Sequence, residues 1–186
     1  MNREQQFKIL EKMFAWDIEE VGHFTIAFFA HYQLLDSMIE NCAEQFKQIG
    51  IPRVDYLLYK EHIYNIYVEL CVTLETLLKS LMEETDYSER QIRGKGHNLR
   101  DLLIELSKKN VPKVSEICMM LQTHQDVIDY LVNDKIFIDA RYMSFKEDLS
   151  LMHINKIKGL IIDLDLIYEK YYKNYNWINI VYPDTK

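Results

Sequence analysis

A chain of 186 residues with a formal net charge of −7 has the length of one domain, which at that size buries roughly 70% of its unfolded surface. Five Gly, three Pro and no Asn-Gly or Asp-Gly dipeptide leave little with which to turn β-hairpins. The acidic balance excludes a broad nucleic-acid-coating surface, so any anion site must be local.

The expected fold is all-α, an antiparallel bundle of about five amphipathic helices forming one domain over residues 1–186. The first helix spans about Arg3 to Ile49, bent near Gly22, and buries Phe7, Leu10, Phe14, Phe24, Phe28, His31, Leu35, Met38 and Cys42. Gly50-Ile51-Pro52 stops it and starts a second helix to about Glu84, whose seam is Ile63, Tyr67, Leu70, Leu74, Leu77 and Leu81. A polar loop covers Asp86 to His97. Asn98 then caps a third helix that carries Asp101 in its first turn and buries Leu99, Leu102, Leu103 and Leu106. Asn110-Val111-Pro112 breaks the chain before a fourth helix from about Lys113 to Asp134, with Ile117, Leu121, His124, Ile128 and Leu131 inward. A fifth, from about Lys146 to Tyr172, turns Ile157, Leu160, Ile161, Leu164 and Tyr168 to the core. The tail, 174–186, carries Trp177, Ile178, Ile180, Val181 and Tyr182, too apolar for a purely solvated end.

Cys42, Cys71 and Cys118 are odd in number and set in apolar stretches, so they read as buried free thiols in a reducing, cytoplasmic setting. The charged opening MNREQQFKILEK lacks the apolar centre of a secretory signal. The longest apolar run, Phe24 to Phe29, falls far short of the roughly 20 residues that span a bilayer, and no membrane partner is expected.

The most informative segment is Arg90-Gln-Ile-Arg-Gly-Lys-Gly-His-Asn-Leu-Arg100, which has four fixed positive charges and no acid in an otherwise acidic chain. Glycines just before a helix N-terminus leave backbone N–H groups free, and nearby Lys and Arg make such a place suit a phosphate. The same charges could instead offset the adjacent acidic run Glu83-Glu84-Thr85-Asp86. Glu20-Val-Gly-His23 is half of a two-metal bundle signature with no second copy, so neither a metal nor another cofactor is expected. His31 and His124 fall on apolar stripes as hydrogen-bonded core or boundary residues, and His62 beside Glu61 reads as exposed. Tyr56, Tyr59, Tyr64 and Tyr67 spread around the second helix, which favours packing with phenol hydrogen bonds over a base-stacking platform.

Leu74-Glu75-Thr-Leu77-Leu78-Lys79-Ser-Leu81, then Gly96-His97-Asn98-Leu99-Arg-Asp-Leu102-Leu103, then Ala140-Arg141-Tyr142 together resemble the HEPN family over about residues 60–172. The resemblance implies a dimeric bundle that binds a nucleotide, RNA or a partner protein such as a nucleotidyltransferase, in a defence or toxin–antitoxin setting. The implied phosphate contacts are Lys79, Arg93, Lys95, Arg100 and Arg141. The family's ribonuclease branch carries an Arg and a His with four to six residues between them and uses no metal, and Arg90 and His97, with six residues between them, meet that spacing. His97 would then be general acid or base at a ribose hydroxyl or leaving oxygen, with Arg90 stabilising the phosphorane-like state. Three functions stay open: the binding module, which the sequence favours because the Arg–His spacing falls before a mid-chain helix; the metal-independent endoribonuclease; and a structural helical adaptor that uses the tail.

Overall fold

The computed structural model describes residues 23–49, 56–133 and 151–173. Every regular element among them is helical. In chain order these are α1 (His23–Ile49), α2 (Tyr56–Glu83), α3 (Glu89–Arg93), α4 (Leu99–Leu106), α5 (Pro112–Gln122), α6 (Gln125–Asn133) and α7 (Leu151–Tyr171). The all-α bundle is as expected, but it is more finely divided than five helices. Arg3 to Gly22, Arg141 and the tail lie outside the described residues.

Helix α2 is the central post. Its seam residues Tyr67, Leu70, Leu74, Leu77 and Leu81 are all buried, as are Leu78 and Met82, so it is covered on several sides. Helix α1 runs antiparallel to it. The Glu83 carboxylate at the end of α2 accepts hydrogen bonds from Phe24 N and Thr25 N at 3.0 Å and from Thr25 Oγ1 at 2.9 Å, while His31 Nδ1 lies 2.6 Å from Glu69 Oε1 lower down. Glu83 thus does from a neighbouring helix what a local N-cap side chain would do, satisfying amides that α1 leaves open at its start.

Helix α7 is antiparallel to α1 and closes the bundle. Tyr168 stacks on Tyr32 at 4.1 Å between centroids, Phe28 meets Tyr172 edge-on at 4.6 Å, and the buried Tyr172 hydroxyl is 2.9 Å from Ser80 Oγ on α2. These are the offset and edge geometries that aromatic quadrupoles favour. The Tyr32 hydroxyl donates to Asp165 at 2.9 Å. Desolvation, with Asp36 and Glu169 close by, holds the Asp165 carboxyl above its ordinary range despite that hydrogen bond. A carboxyl raised in the fold contributes fully below its unfolded pKa and loses that contribution as pH rises through the folded value. Asp165→Asn keeps the acceptor for Tyr32 and removes the charge. It should stabilise the fold at pH 7, by under ~1 kcal/mol at this partly exposed place, and raise the melting temperature accordingly. Thermal melts should show the gain disappearing below the ordinary carboxylate range.

Two divisions depart from the expected elements. Inside the loop expected over Asp86 to His97, Ser88 opens α3 through a capping box, its hydroxyl accepting from Gln91 N and the Gln91 side chain accepting from Ser88 N. The expected fourth helix breaks at Thr123-His124 into α5 and α6. Thr123 Oγ1 donates to Met120 O at 2.7 Å, closing α5, and His124 Nε2 reaches Asp163 Oδ2 on α7 at 2.8 Å. Gly159 makes room for that imidazole, since a Cβ there would lie 3.1 Å from His124 Cε1. The α4 expectations hold, with Asn98 Oδ1 accepting from Arg100 N and Asp101 N.

The three cysteines are buried free thiols, and burial pushes the Cys71 thiol up to about 12. Tyr64 and Tyr67 are packed into the bundle, against the stacking platform. The phenol hydrogen bond expected of Tyr67 is not made, because its fully buried hydroxyl has no partner among the described residues. His62 is half-buried rather than exposed. Among the described residues, no helix is long and apolar enough to cross a membrane.

Candidate functional site

The site begins on α2 with two residues one helical turn apart. Glu75 and Lys79 stand at i and i+4 in the order that favours the pair, and Lys79 Nζ lies 2.7 Å from Glu75 Oε1. Lys79 is only 5% exposed. Its ammonium sits over the Phe24 ring at 5.5 Å, so the charge is held by one carboxylate and one aromatic face. This is where the structure parts from the expected phosphate contacts. Lys79 lies on the second helix as expected, but inside the bundle, with its charge already taken up.

The loop after α3 brings His97 back to the same carboxylate. Gly96 adopts φ +72, a left-handed conformation that costs glycine nothing, and the chain then turns into the Asn98 cap of α4. His97 Nδ1 lies 2.8 and 2.9 Å from the two oxygens of Glu75. The imidazole is otherwise in solvent, its side chain 79% exposed, whereas the carboxylate that anchors it is only 17% exposed. Glu75, Lys79 and His97 form one connected group, buried at the lysine end and open at the histidine end.

Three other cations of the loop, Arg93, Lys95 and Arg100, are engaged within the fold. Arg93 donates to Glu89 through Nε at 2.8 Å and Nη2 at 2.6 Å, and Glu89 also meets His23 Nδ1 at 3.0 Å. Lys95 bonds Glu105, which also accepts from the Tyr87 hydroxyl, while Arg100 stands 3.7 Å from Asp129. Arg90, at the last turn of α3, accepts from Gly94 N through its carbonyl at 3.2 Å, but its side chain has no hydrogen bond or ion pair among the described residues. Nor does any such contact join it to His97. Arg141 falls outside the described residues. The adjacent acidic run serves elsewhere, with Glu83 capping α1, Glu84 pairing with Lys113 at 2.5 Å and Asp86 pairing with Lys109 at 2.6 Å.

Beside the loop, Tyr87, Asp101, Ile104, Glu105, Lys108 and Lys109 line an open cleft of about 520 Å³. The Tyr87 ring has Lys109 Nζ at 4.3 Å and Lys95 Nζ at 4.9 Å. Hydrogen bonds from Lys95 and Tyr87 hold the Glu105 carboxyl below its ordinary range, and the hydrogen bond from Arg93 does the same for Glu89. Carboxyls lowered in the fold stabilise above their unfolded pKa and lose that contribution as pH falls. Acid should therefore weaken these two pairings of the loop.

These pairings rank the loop's charges as anion contacts. For RNA, the ligand that the resemblance implies, Arg90→Ala is the variant expected to weaken any binding most and to reduce its salt slope by about one, whereas Arg93→Ala and Lys95→Ala should each do less, because their charge is already shared with a carboxylate. Titrations at several salt concentrations would check this, and equal losses from the three variants would contradict it.

Glu75 belongs to the site although sequence reasoning gave it no role. Its signal was a Glu–Lys pair at i, i+4 inside an otherwise apolar seam. Among the described residues, no group of three or more His, Cys, Asp or Glu is placed to hold a metal ion. Comparison with family models, with curated proteins and with solved structures finds no match to this chain.

Proposed function

We propose that this chain is a HEPN-like helical module that acts on RNA as a metal-independent endoribonuclease, with His97 as its proton-transferring group. One observation carries the reading. An imidazole is presented to solvent while its inner nitrogen rests on a shielded carboxylate, which is the nucleophile-activating arrangement of a base held by an orienting acid. In the reaction, Nε2 takes the proton from a ribose 2′-hydroxyl, the 2′-oxygen attacks the adjacent phosphorus, and the 5′-oxygen leaves and takes up a proton. The products are a 2′,3′-cyclic phosphate and a 5′-hydroxyl. Arg90, whose side chain has no partner among the described residues, is the group assigned to the charge that builds on the phosphoryl oxygens.

The test is incubation of the full chain with single-stranded RNA in excess chelator, with the product ends identified. Cyclic phosphate ends lost in His97→Ala support the reading, and intact RNA overturns it. Should RNA stay intact yet bind, with the binding weakened by Arg90→Ala, the module reads as a nucleotide- or RNA-binding domain. A nucleotidyltransferase remains a candidate partner for that form, in the defence or toxin–antitoxin setting the resemblance implies.

We place the second copy of a homodimer on the outer face of α7. Ile162 and Leu166, one turn apart, are both exposed there, on the side away from the bundle core. Ile162→Asp with Leu166→Asp should convert a dimer to a monomer in sedimentation. A wild type that is monomeric at micromolar concentration would remove this assignment.

A further inference from the structure

We infer that Glu75 is the positioning residue of His97, and that the buried Lys79 is what holds Glu75 to that task. The inference rests on the reading of His97 as the proton-transferring group for its use, though its geometry stands by itself. Four histidines among the described residues meet a carboxylate: His23 with Glu89, His31 with Glu69, His97 with Glu75 and His124 with Asp163. His31 and His124 are largely enclosed and tie one helix to another. His23 shares an exposed carboxylate with Arg93. Only His97 combines an exposed ring with a shielded carboxylate that is itself backed by a buried ammonium.

That combination fixes a chemical form. A carboxylate only accepts hydrogen bonds, so with both Glu75 oxygens within 2.9 Å of Nδ1, the ring proton must sit on Nδ1. The lone pair of the neutral ring is then on Nε2, the nitrogen facing solvent and any substrate. A freely solvated imidazole prefers the opposite form, with its proton on Nε2. Lys79 contributes by occupying Glu75 Oε1 at 2.7 Å from a place water hardly reaches, so the carboxylate cannot swing away from the loop without leaving a buried ammonium alone. Glu75 touches no substrate in this scheme. It acts through His97.

The experiment uses the full chain labelled with 15N-histidine, without ligand, and reads the ring nitrogens of His97 at a pH where the ring is neutral. The expected wild-type spectrum shows the Nδ1–H form. Glu75→Leu alone strands the Lys79 ammonium and can unfold the chain, so the decisive variant is Glu75→Leu combined with Lys79→Met, its fold checked by thermal melting. It should return His97 to the Nε2–H form. RNA cleavage is measured in parallel, and kcat should fall on the order of tenfold or more at unchanged KM, a part of the 10²–10⁴ that a positioned acid–base group supplies. A wild-type His97 in the Nε2–H form overturns the inference, and so does a double variant that keeps the Nδ1–H form. A lost tautomer with kcat unchanged overturns Glu75's part in catalysis. If the wild type cleaves no RNA yet holds the Nδ1–H form that the double variant loses, the positioning is supported and only the ribonuclease reading fails.

Discussion

His97→Ala is expected to slow metal-free RNA cleavage by about 10²–10⁴-fold while RNA affinity changes by less than about twofold, because removing a proton-transfer group takes away chemistry rather than contact. The exposure of the ring makes this a clean experiment. A side chain 79% exposed contributes little packing, so the variant should melt within about 0.5 kcal/mol of the wild type, as surface substitutions do. Arg90→Ala should show the complementary pattern, weaker binding together with a slower step, since a cation facing phosphate serves the ground state and the transition state alike. Single-turnover rates and direct binding titrations separate the two. Equal cleavage by His97→Ala and wild type would show that the catalytic proton moves elsewhere.

The largest effect on stability should come from Glu75→Leu. It leaves the Lys79 ammonium enclosed with only the Phe24 ring beside it, and breaking a buried pair by removing one partner costs about 3–5 kcal/mol. For a chain of this length that corresponds to a melting temperature roughly 6–20 °C lower. Removing both partners should be far milder. Glu75→Leu with Lys79→Met substitutes apolar side chains of similar length into an apolar seam and should lie within about 1–2 kcal/mol of wild type, a non-additivity that a double-mutant cycle reads directly. Two single losses that simply add would mean the pair is not coupled and that Lys79 reaches water in solution.

Much of the bundle was written in local patterns. The seam from Ile63 to Leu81, the Asn98 cap, the Pro112 start and the apolar faces of α4 and α7 each follow from the spacing of a few residues, and each stands where that spacing put it. The finer divisions follow other physics. Helix α3 was legible in Ser88 and Gln91, whose reciprocal caps fit the Ser-x-x-Gln pattern, but the surrounding charges and glycines drew the reading toward a loop. The break between α5 and α6 carries no Gly or Pro, and it depends on a contact from His124 to Asp163 that no local window contains. For the candidate site, sequence found His97 and the charge of the loop. Glu89 and Arg93 are a local i, i+4 pair, but sequence could not say which carboxylates meet His97, Lys95 and Arg100, because Glu75, Glu105 and Asp129 are fixed beside them only by the packing of three different helices. Lys79 illustrates the difference most plainly, since a lysine in a helical pattern reads as surface until its neighbours on both sides prove to be core.

The meeting of Gly159, His124 and Asp163 bears on how α7 can move. The bare backbone at Gly159 is a notch into which the imidazole fits, and Asp163 one turn later is a hook that catches it. Sliding α7 along its axis by one turn, about 5.4 Å, would set Asn155 or Asp163 rather than Gly159 opposite the imidazole, and neither is a glycine. The corner between α5 and α6 therefore favours this axial setting of α7 over one a turn away. A one-turn slide of α7 would lose the His124–Asp163 contact together with the Tyr168–Tyr32 stack and the Tyr172–Ser80 hydrogen bond.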